Sequence, residues 1–227
     1  FSATYPQKIL EIVSKISTTL TEVSISSDAP VVESINQRVI EVNKESRGPL
    51  LRHLLDTNKW ELVLVFMANK RAADNIAAKF RKNGYKADAF HGDLEQEERN
   101  YIVDAFKRKK FRILFATDIA ARGLDIDDVN CVINFDLPRS PADYIHRIGR
   151  TGRAGKEGLS ISFIDFEDDD HFKLIEKRSE IKLEREQISG FERMGAAPAK
   201  TKGPEPVKGK GKSKKDKLRQ KALKEGK

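Results

Sequence analysis

The chain has 227 residues, 38% of them apolar and 34% charged, and a net charge of +8 from 43 Lys or Arg against 35 Asp or Glu. This composition fits one globular domain with appendages and excludes a membrane-spanning helix, because no apolar run approaches the roughly 18 residues a span requires. One cysteine, Cys131, and four scattered histidines exclude a disulfide framework and cannot assemble a metal site, so a cytoplasmic protein with no membrane partner is expected.

The charge is uneven. From Pro198 to Lys227 there are twelve Lys or Arg against three Asp or Glu, a net of +9, which leaves the first 197 residues near −1. Low hydrophobicity and high charge predict disorder for this C-terminal segment. Its Gly211-Lys212-Ser213 has the ending of a phosphate-binding loop, but Pro206 stands where the leading Gly is required and no strand precedes it.

In chain order, Gln7 to Val13 has the pattern of a helix, and the Ser/Thr-rich stretch up to Pro30 reads as a linker. Ile35 to Val42 reads as a strand, and Gly48-Pro49 opens a helix through Leu50, Leu51, Leu54 and Leu55. Glu61 to Phe66 is almost continuously apolar, as a strand buried on both faces requires. Ala72, Ala73, Ile76, Ala77 and Phe80 share one face of a helix over 70–83, which Gly84 stops. A short strand over 87–90 and a helix over 95–107 follow. Three further strands are expected at 112–116, 131–135 and 160–164, with a last helix beginning near Asp168-Asp169-Asp170, whose acids suit a helix N-terminus. Repeated βα units imply an α/β fold, an open parallel sheet with helices on both faces. Its ligand edge lies at the carboxyl ends of the strands. Asn69, His91-Gly92-Asp93 and Thr117-Asp118 each follow a strand and belong on that edge.

The densest chemistry is His146-Arg147-Ile148-Gly149-Arg150-Thr151-Gly152-Arg153. Ser140 or Asp143 can cap a short helix ahead of it, and Gly149 and Gly152 let the chain tighten so that Arg150 and Arg153 reach beyond the helix end. Like charges this close call for a multidentate anion opposite them, and guanidinium forks fit phosphate oxygens. Without such an anion the stretch would be a solvated basic helix end.

This stretch resembles the H-R-x-G-R-x-x-R element of superfamily 2 helicases, in the form carried by the DEAD-box RNA helicases. Ala116-Thr117-Asp118-Ile119-Ala120-Ala121-Arg122-Gly123-Leu124-Asp125 resembles the same family's motif V, Gln96-Glu97-Glu98-Arg99 its Q-x-x-R element, and Val65-Phe66-Met67-Ala68-Asn69-Lys70 its motif IV. Phe1-Ser2-Ala3-Thr4 is similar to the S-A-T motif that ends the family's first domain. The resemblance implies a RecA-like domain over 33–180, preceded by the end of the first domain and a linker (1–32) and followed by a basic, disordered tail (181–227). It implies that Arg150 and Arg153 are catalytic arginine fingers reaching the γ-phosphate of ATP, and that Asp125 bonds the ATP ribose. RNA phosphate and sugar would meet Asn69, Gly92, Gln96, Arg99, Thr117 and Gly123. Ser2, Thr4 and His146 would couple the two domains. No phosphate-binding loop and no Asp-Glu-Ala-Asp run occurs in these residues, so Mg2+ would be held by the upstream RecA-like domain, and the chain alone should not hydrolyse ATP. Two competing readings are a DEAH-type or DNA-directed motor, many of which carry Gln where this chain has His146, and a free-standing RNA-binding module that retains the ATP residues as relics.

Overall fold

The computed structural model describes residues 34–121, 126, 129–152 and 157–197. Seven strands are present: β1 (Ile35–Glu41), β2 (Val63–Phe66), β3 (Ala87–Phe90), β4 (Ile113–Ala116), β5 (Cys131–Asn134), β6 (Gly158–Ile164) and β7 (Arg185–Glu186). They form one sheet in the order β3-β4-β2-β5-β6-β1-β7, and every pairing is parallel. Three adjacent inner strands, Val-Leu-Val-Phe of β2, Ile-Leu-Phe-Ala of β4 and Cys-Val-Ile-Asn of β5, are buried along their whole length. A parallel sheet covered on both faces requires such unbroken runs.

Alternate residues of each strand feed separate cores. Val63, Val65, Ile113, Phe115, Cys131 and Ile133 face α1 (Arg47–Thr57) and α2 (Lys70–Lys82). Leu64, Phe66, Leu114, Ala116 and Val132 face α3 (Gln96–Lys107) and α4 (Asp118–Ala121). A third cluster joins Ile35, Val39 and Ile164 to α5 (Pro141–Ile148) and α6 (Asp169–Ser179). The expected RecA-like arrangement with helices on both faces is therefore present, and a strand period of 2 sorts the side chains between them. Helix ends follow local chemistry. Asn69 caps α2 by accepting from the Ala72 amide at 2.9 Å, and Ser140 caps α5 by accepting from the Asp143 amide at 3.2 Å.

One boundary moves. The sequence reading ends the domain at 180, yet residues 181–197 form a strap that returns along the sheet edge. Arg185 and Glu186 pair with Val39 and Ile40 of β1. Ile181 and Leu183 pack against the third core cluster, and Ile188 and Phe191 against the first. Arg38 holds Glu186 through both carboxylate oxygens at 2.7 and 2.9 Å. Arg193 lies 4.2 Å from the Phe166 ring centre and donates to Glu41 (2.7 Å) and Asp169 (3.0 Å). The strap's apolar anchors occur singly among polar and charged residues, so no extended pattern announces it; ion pairs and ring stacking fix it together with those anchors. The expected linker over 1–32 lies outside the described residues, as does the tail from 198 onward.

Truncation at Ser179 should therefore lower stability by about 3 kcal/mol or more, from four partly covered apolar side chains at roughly 1 kcal/mol each. Truncation after Ala197 should leave it within about 0.5 kcal/mol. Urea denaturation of both fragments beside the full chain checks this.

Candidate functional site

The carboxyl ends of β4, β2 and β5 lie level, with Ala116 opposite Phe66 and Phe66 opposite Asn134. Residues that follow these strands make one rim. Its centre is Arg147, whose residue is only 2% exposed. Its Nε and Nη2 donate to the two oxygens of Asp118 at 2.6 and 2.8 Å, and its Nη1 donates to Asn134 Oδ1 (3.1 Å) and to the Asp136 carbonyl (2.6 Å). The guanidinium also stacks 4.7 Å from the centre of the Phe66 ring. A bidentate carboxylate, two further acceptors and an aromatic face satisfy a buried cation as water would.

This corrects the reading of the arginine stretch as a set of cations all awaiting an outside anion. Arg147 points inward and meets the chain's own Asp118. The signals that could have found it are Asp118, two residues past an apolar strand, and the polar Asn134 and Asp136 that bracket Phe135 at the end of another.

Arg147 fixes what its neighbours can do. His146, beside it on α5, is exposed, and Arg150 is half-buried just past the helix end. Both line a small cavity with Phe66, Asp118, Ala121, Asp143 and Arg147. The turn that carries Arg150 is anchored: the Val129 amide donates to the Arg150 carbonyl at 3.3 Å, and Thr151 Oγ1 donates to the Val129 carbonyl at 2.6 Å. Gly152 has φ +68°, and a Cβ on Gly158 would lie 2.5 Å from the Gly152 nitrogen. Both glycines are required for the chain to leave the turn beside β6.

Toward β3 the rim changes character. Asn69 and Lys70 open α2, Lys70 pairs with Asp93, and His91 Nε2 lies 2.8 Å from Asp74 Oδ1. Lys70 also holds the Asp93 carboxyl below its usual value. Gly92 is exposed, and no atom lies within 4 Å of a Cβ built there, so nothing in the described structure crowds it. Arg99 sits 5.3 Å from the centre of the Phe90 ring. Gln96 donates to Asn100 Oδ1 at 2.9 Å, and the Thr117 amide donates to the Phe90 carbonyl at 3.1 Å. The structure thus brings Asn69, Gly92, Thr117, His146 and Arg150 to one edge, with Gln96 and Arg99 on the helix beside it. Ser2, Thr4, Gly123, Asp125 and Arg153 lie outside the described residues.

Among the described residues no three His, Cys, Asp or Glu side chains cluster to hold a metal ion, and no helix is long and apolar enough to cross a membrane. Cys131 is buried in β5, and burial pushes its thiol far above the ordinary range, so it is inert as a nucleophile.

Arg147→Ala should cost about 3–5 kcal/mol, because it strands the Asp118 carboxylate without its partner. Arg147→Lys should recover only part of that, since an ammonium cannot reach both oxygens and the two other acceptors at once. Chemical denaturation of the two variants gives the comparison.

The family model for the helicase conserved C-terminal domain matches residues 47–155. The chain is 40% identical over 185 residues to the DEAD-box ATP-dependent RNA helicase CshA of Bacillus licheniformis, covering 82% of this chain and 38% of that protein. The CshA of Geobacillus kaustophilus is also 40% identical, with 82% of this chain and 40% of the relative covered. The chain therefore spans well under half the length of these relatives. Among solved structures, E. coli DEAD-box protein SrmB, bound to regulator of ribonuclease activity A, is 32% identical with a TM-score of 0.66, covering 72% of this chain and 96% of the other. S. cerevisiae Dbp5 bound to RNA and ADP BeF3 is 31% identical with a TM-score of 0.71, covering 82% of this chain and 50% of the other. Sequence identity and fold similarity agree: the chain belongs to the DEAD-box RNA helicases and carries their C-terminal helicase domain.

Proposed function

We propose that this chain works as the C-terminal half of an ATP-dependent RNA helicase, gripping RNA by its backbone and supplying arginine fingers for the ATP hydrolysis that drives duplex unwinding or remodelling. The observation that carries the reading is the Arg147–Asp118 pair. It ties the turn bearing Arg150 to the residue next to Thr117, so the nucleotide side and the RNA side of the rim share one buried contact. ATP would be sandwiched between this rim and an upstream RecA-like domain of the same protein. There Arg150 and Arg153 would meet the γ-phosphate and Asp125 the ribose, while Ser2, Thr4 and His146 would relay closure between the halves. When bound, ATP supplies the phosphoryl group that is transferred to water.

The rim fits a phosphate better than a metal ion. It offers the Arg150 guanidinium and the His146 imidazole beside a cavity; Asp118 and Asp143 also line it, but Asp118 is held by Arg147, and no three His, Cys, Asp or Glu among the described residues group to hold a metal ion. Mg2+ and the β-phosphate therefore belong to the upstream half in this reading. Asn69, Gly92, Gln96, Arg99, Thr117 and Gly123 would meet RNA phosphate and sugar. Such contacts set position on the strand and carry no base code, so specificity must come from other parts of the protein or from partners.

With the upstream half present, Arg150→Ala should lower kcat by about 10³-fold or more, the scale of an arginine finger. Arg150→Lys should do nearly as much damage, because it keeps the charge but loses the planar fork. Nucleotide-free RNA affinity should stay near wild type in both. Arg99→Ala should reverse the order, losing RNA affinity first. If Arg150→Ala abolishes nucleotide-free RNA binding while kcat at saturating RNA survives, the stretch is an RNA clamp and the assignment is wrong.

The basic segment is expected to add affinity without sequence preference. Each single-strand phosphate contact contributes about 0.7 to the slope of log affinity against log salt. Removing residues 198–227 should flatten that slope and weaken binding alike for unrelated RNAs, and an unchanged slope would leave the segment no role in RNA binding.

A further inference from the structure

A second arginine, outside every motif considered so far, is as deeply buried as Arg147. Arg47, the first residue of α1, is 2% exposed. Its Nη1 donates to the Phe135 carbonyl at 2.9 Å and to Asp136 Oδ1 at 3.1 Å, and its Nη2 donates to Asp168 just ahead of α6. Asp136 in turn connects both halves of the rim. Its Oδ2 accepts from the Ala68 amide at 2.8 Å, one residue before the helix cap Asn69. Its carbonyl accepts from Arg147 Nη1 at 2.6 Å.

We propose that Arg47 is a positioning residue: by holding Asp136 in one orientation, it fixes the RNA-side cap at Asn69 and the nucleotide-side arginine stretch as a single unit. The inference rests on the function proposed above, and it adds a residue that touches neither ligand.

Stability alone does not account for Arg47. Four leucines, Leu50, Leu51, Leu54 and Leu55, already bury α1 against the sheet. A buried ion pair commonly returns no more than its desolvation cost, and replacing Arg47 together with both carboxylate partners by apolar side chains would hold the site at least as well. Arg47 Nε adds to that cost, since it is buried with no hydrogen-bond partner among the described residues. What an apolar side chain cannot do is orient a carboxylate so that its two oxygens meet donors on different segments. The guanidinium is planar and reaches Phe135, Asp136 and Asp168 from one fixed plane.

The test uses Arg47→Met and Arg47→Lys in the 227-residue chain, with residue-resolved hydrogen exchange and the affinity for a single-stranded RNA oligomer. In Arg47→Met the Ala68 and Gly149 amides should lose protection together, each by about tenfold or more. Ile40 and Phe163, in the β1–β6 core, should keep theirs, which separates a rim effect from general loosening. RNA affinity should fall by about threefold to tenfold, the scale of one ordinary lost hydrogen bond. Arg47→Lys should restore less than half of each loss, and it replaces the Met variant if that chain does not fold. Wild-type protection at Ala68, or loss at Ala68 without loss at Gly149, overturns the proposal; so does full loss of protection with unchanged RNA affinity. A wild-type chain that binds no RNA counts instead against the proposed function, and the paired exchange at Ala68 and Gly149 then decides the role of Arg47 alone.

Discussion

The rim depends on one buried cation. Arg147 cannot be hydrated where it sits, so Asp118, Asn134 and the Asp136 carbonyl must converge on it. Those acceptors belong to three different segments: the start of α4, the last residue of β5 and the loop beyond it. Their convergence sets where α5 lies against the sheet. Its neighbours follow. His146 is turned outward on the same helix, and Arg150 is carried by the turn after Gly149. The cost of burying a charge thus enforces a geometry that a hydrophobic contact, which has no direction, could not impose.

The same economy recurs along the edge. Asp136 meets Arg47 with one oxygen and the Ala68 amide with the other. Asp168 caps the start of its own turn by accepting from the Asp165 amide at 3.0 Å, and it also receives Arg47. Asp169 pairs with Arg193 of the strap. The acidic run at 168–170 therefore does more than favour a helix N-terminus: two of its three carboxylates join α6 to other segments. Polar residues placed just beyond apolar strands become the links between loops, since only the loops are free to choose their partners.

The strap gives the domain its final form. Without residues 181–197, the outer edge of β1 would present unpaired amides and carbonyls, a template for foreign strands. Two backbone pairs and four arginine–carboxylate contacts fix the strap over part of it, and the described chain ends beside Asn43, whose side chain both donates to and accepts from the Met194 backbone.

The sequence by itself determined the parallel α/β sheet, because buried strands must be continuously apolar and helices must repeat every three to four residues. It also carried the family, through ordered motifs that resemble those of the DEAD-box RNA helicases. Ser140 was legible as one of two candidate caps, since a side-chain oxygen before a helix acts on the nearest amides, whereas the cap formed by Asn69 emerged only in the structure. What only the tertiary structure decided was which charges face water and which face each other. Arg147 and Arg150 are alike in a list of residues, yet one is buried and the other borders a cavity. Asp118, Asp136 and Arg47 carried no local sign of which partner each meets, because those partners lie 29, 89 and 121 residues away. The strap stayed hidden for the same reason. Local propensity reads neighbours in sequence, whereas desolvation is settled by neighbours in space.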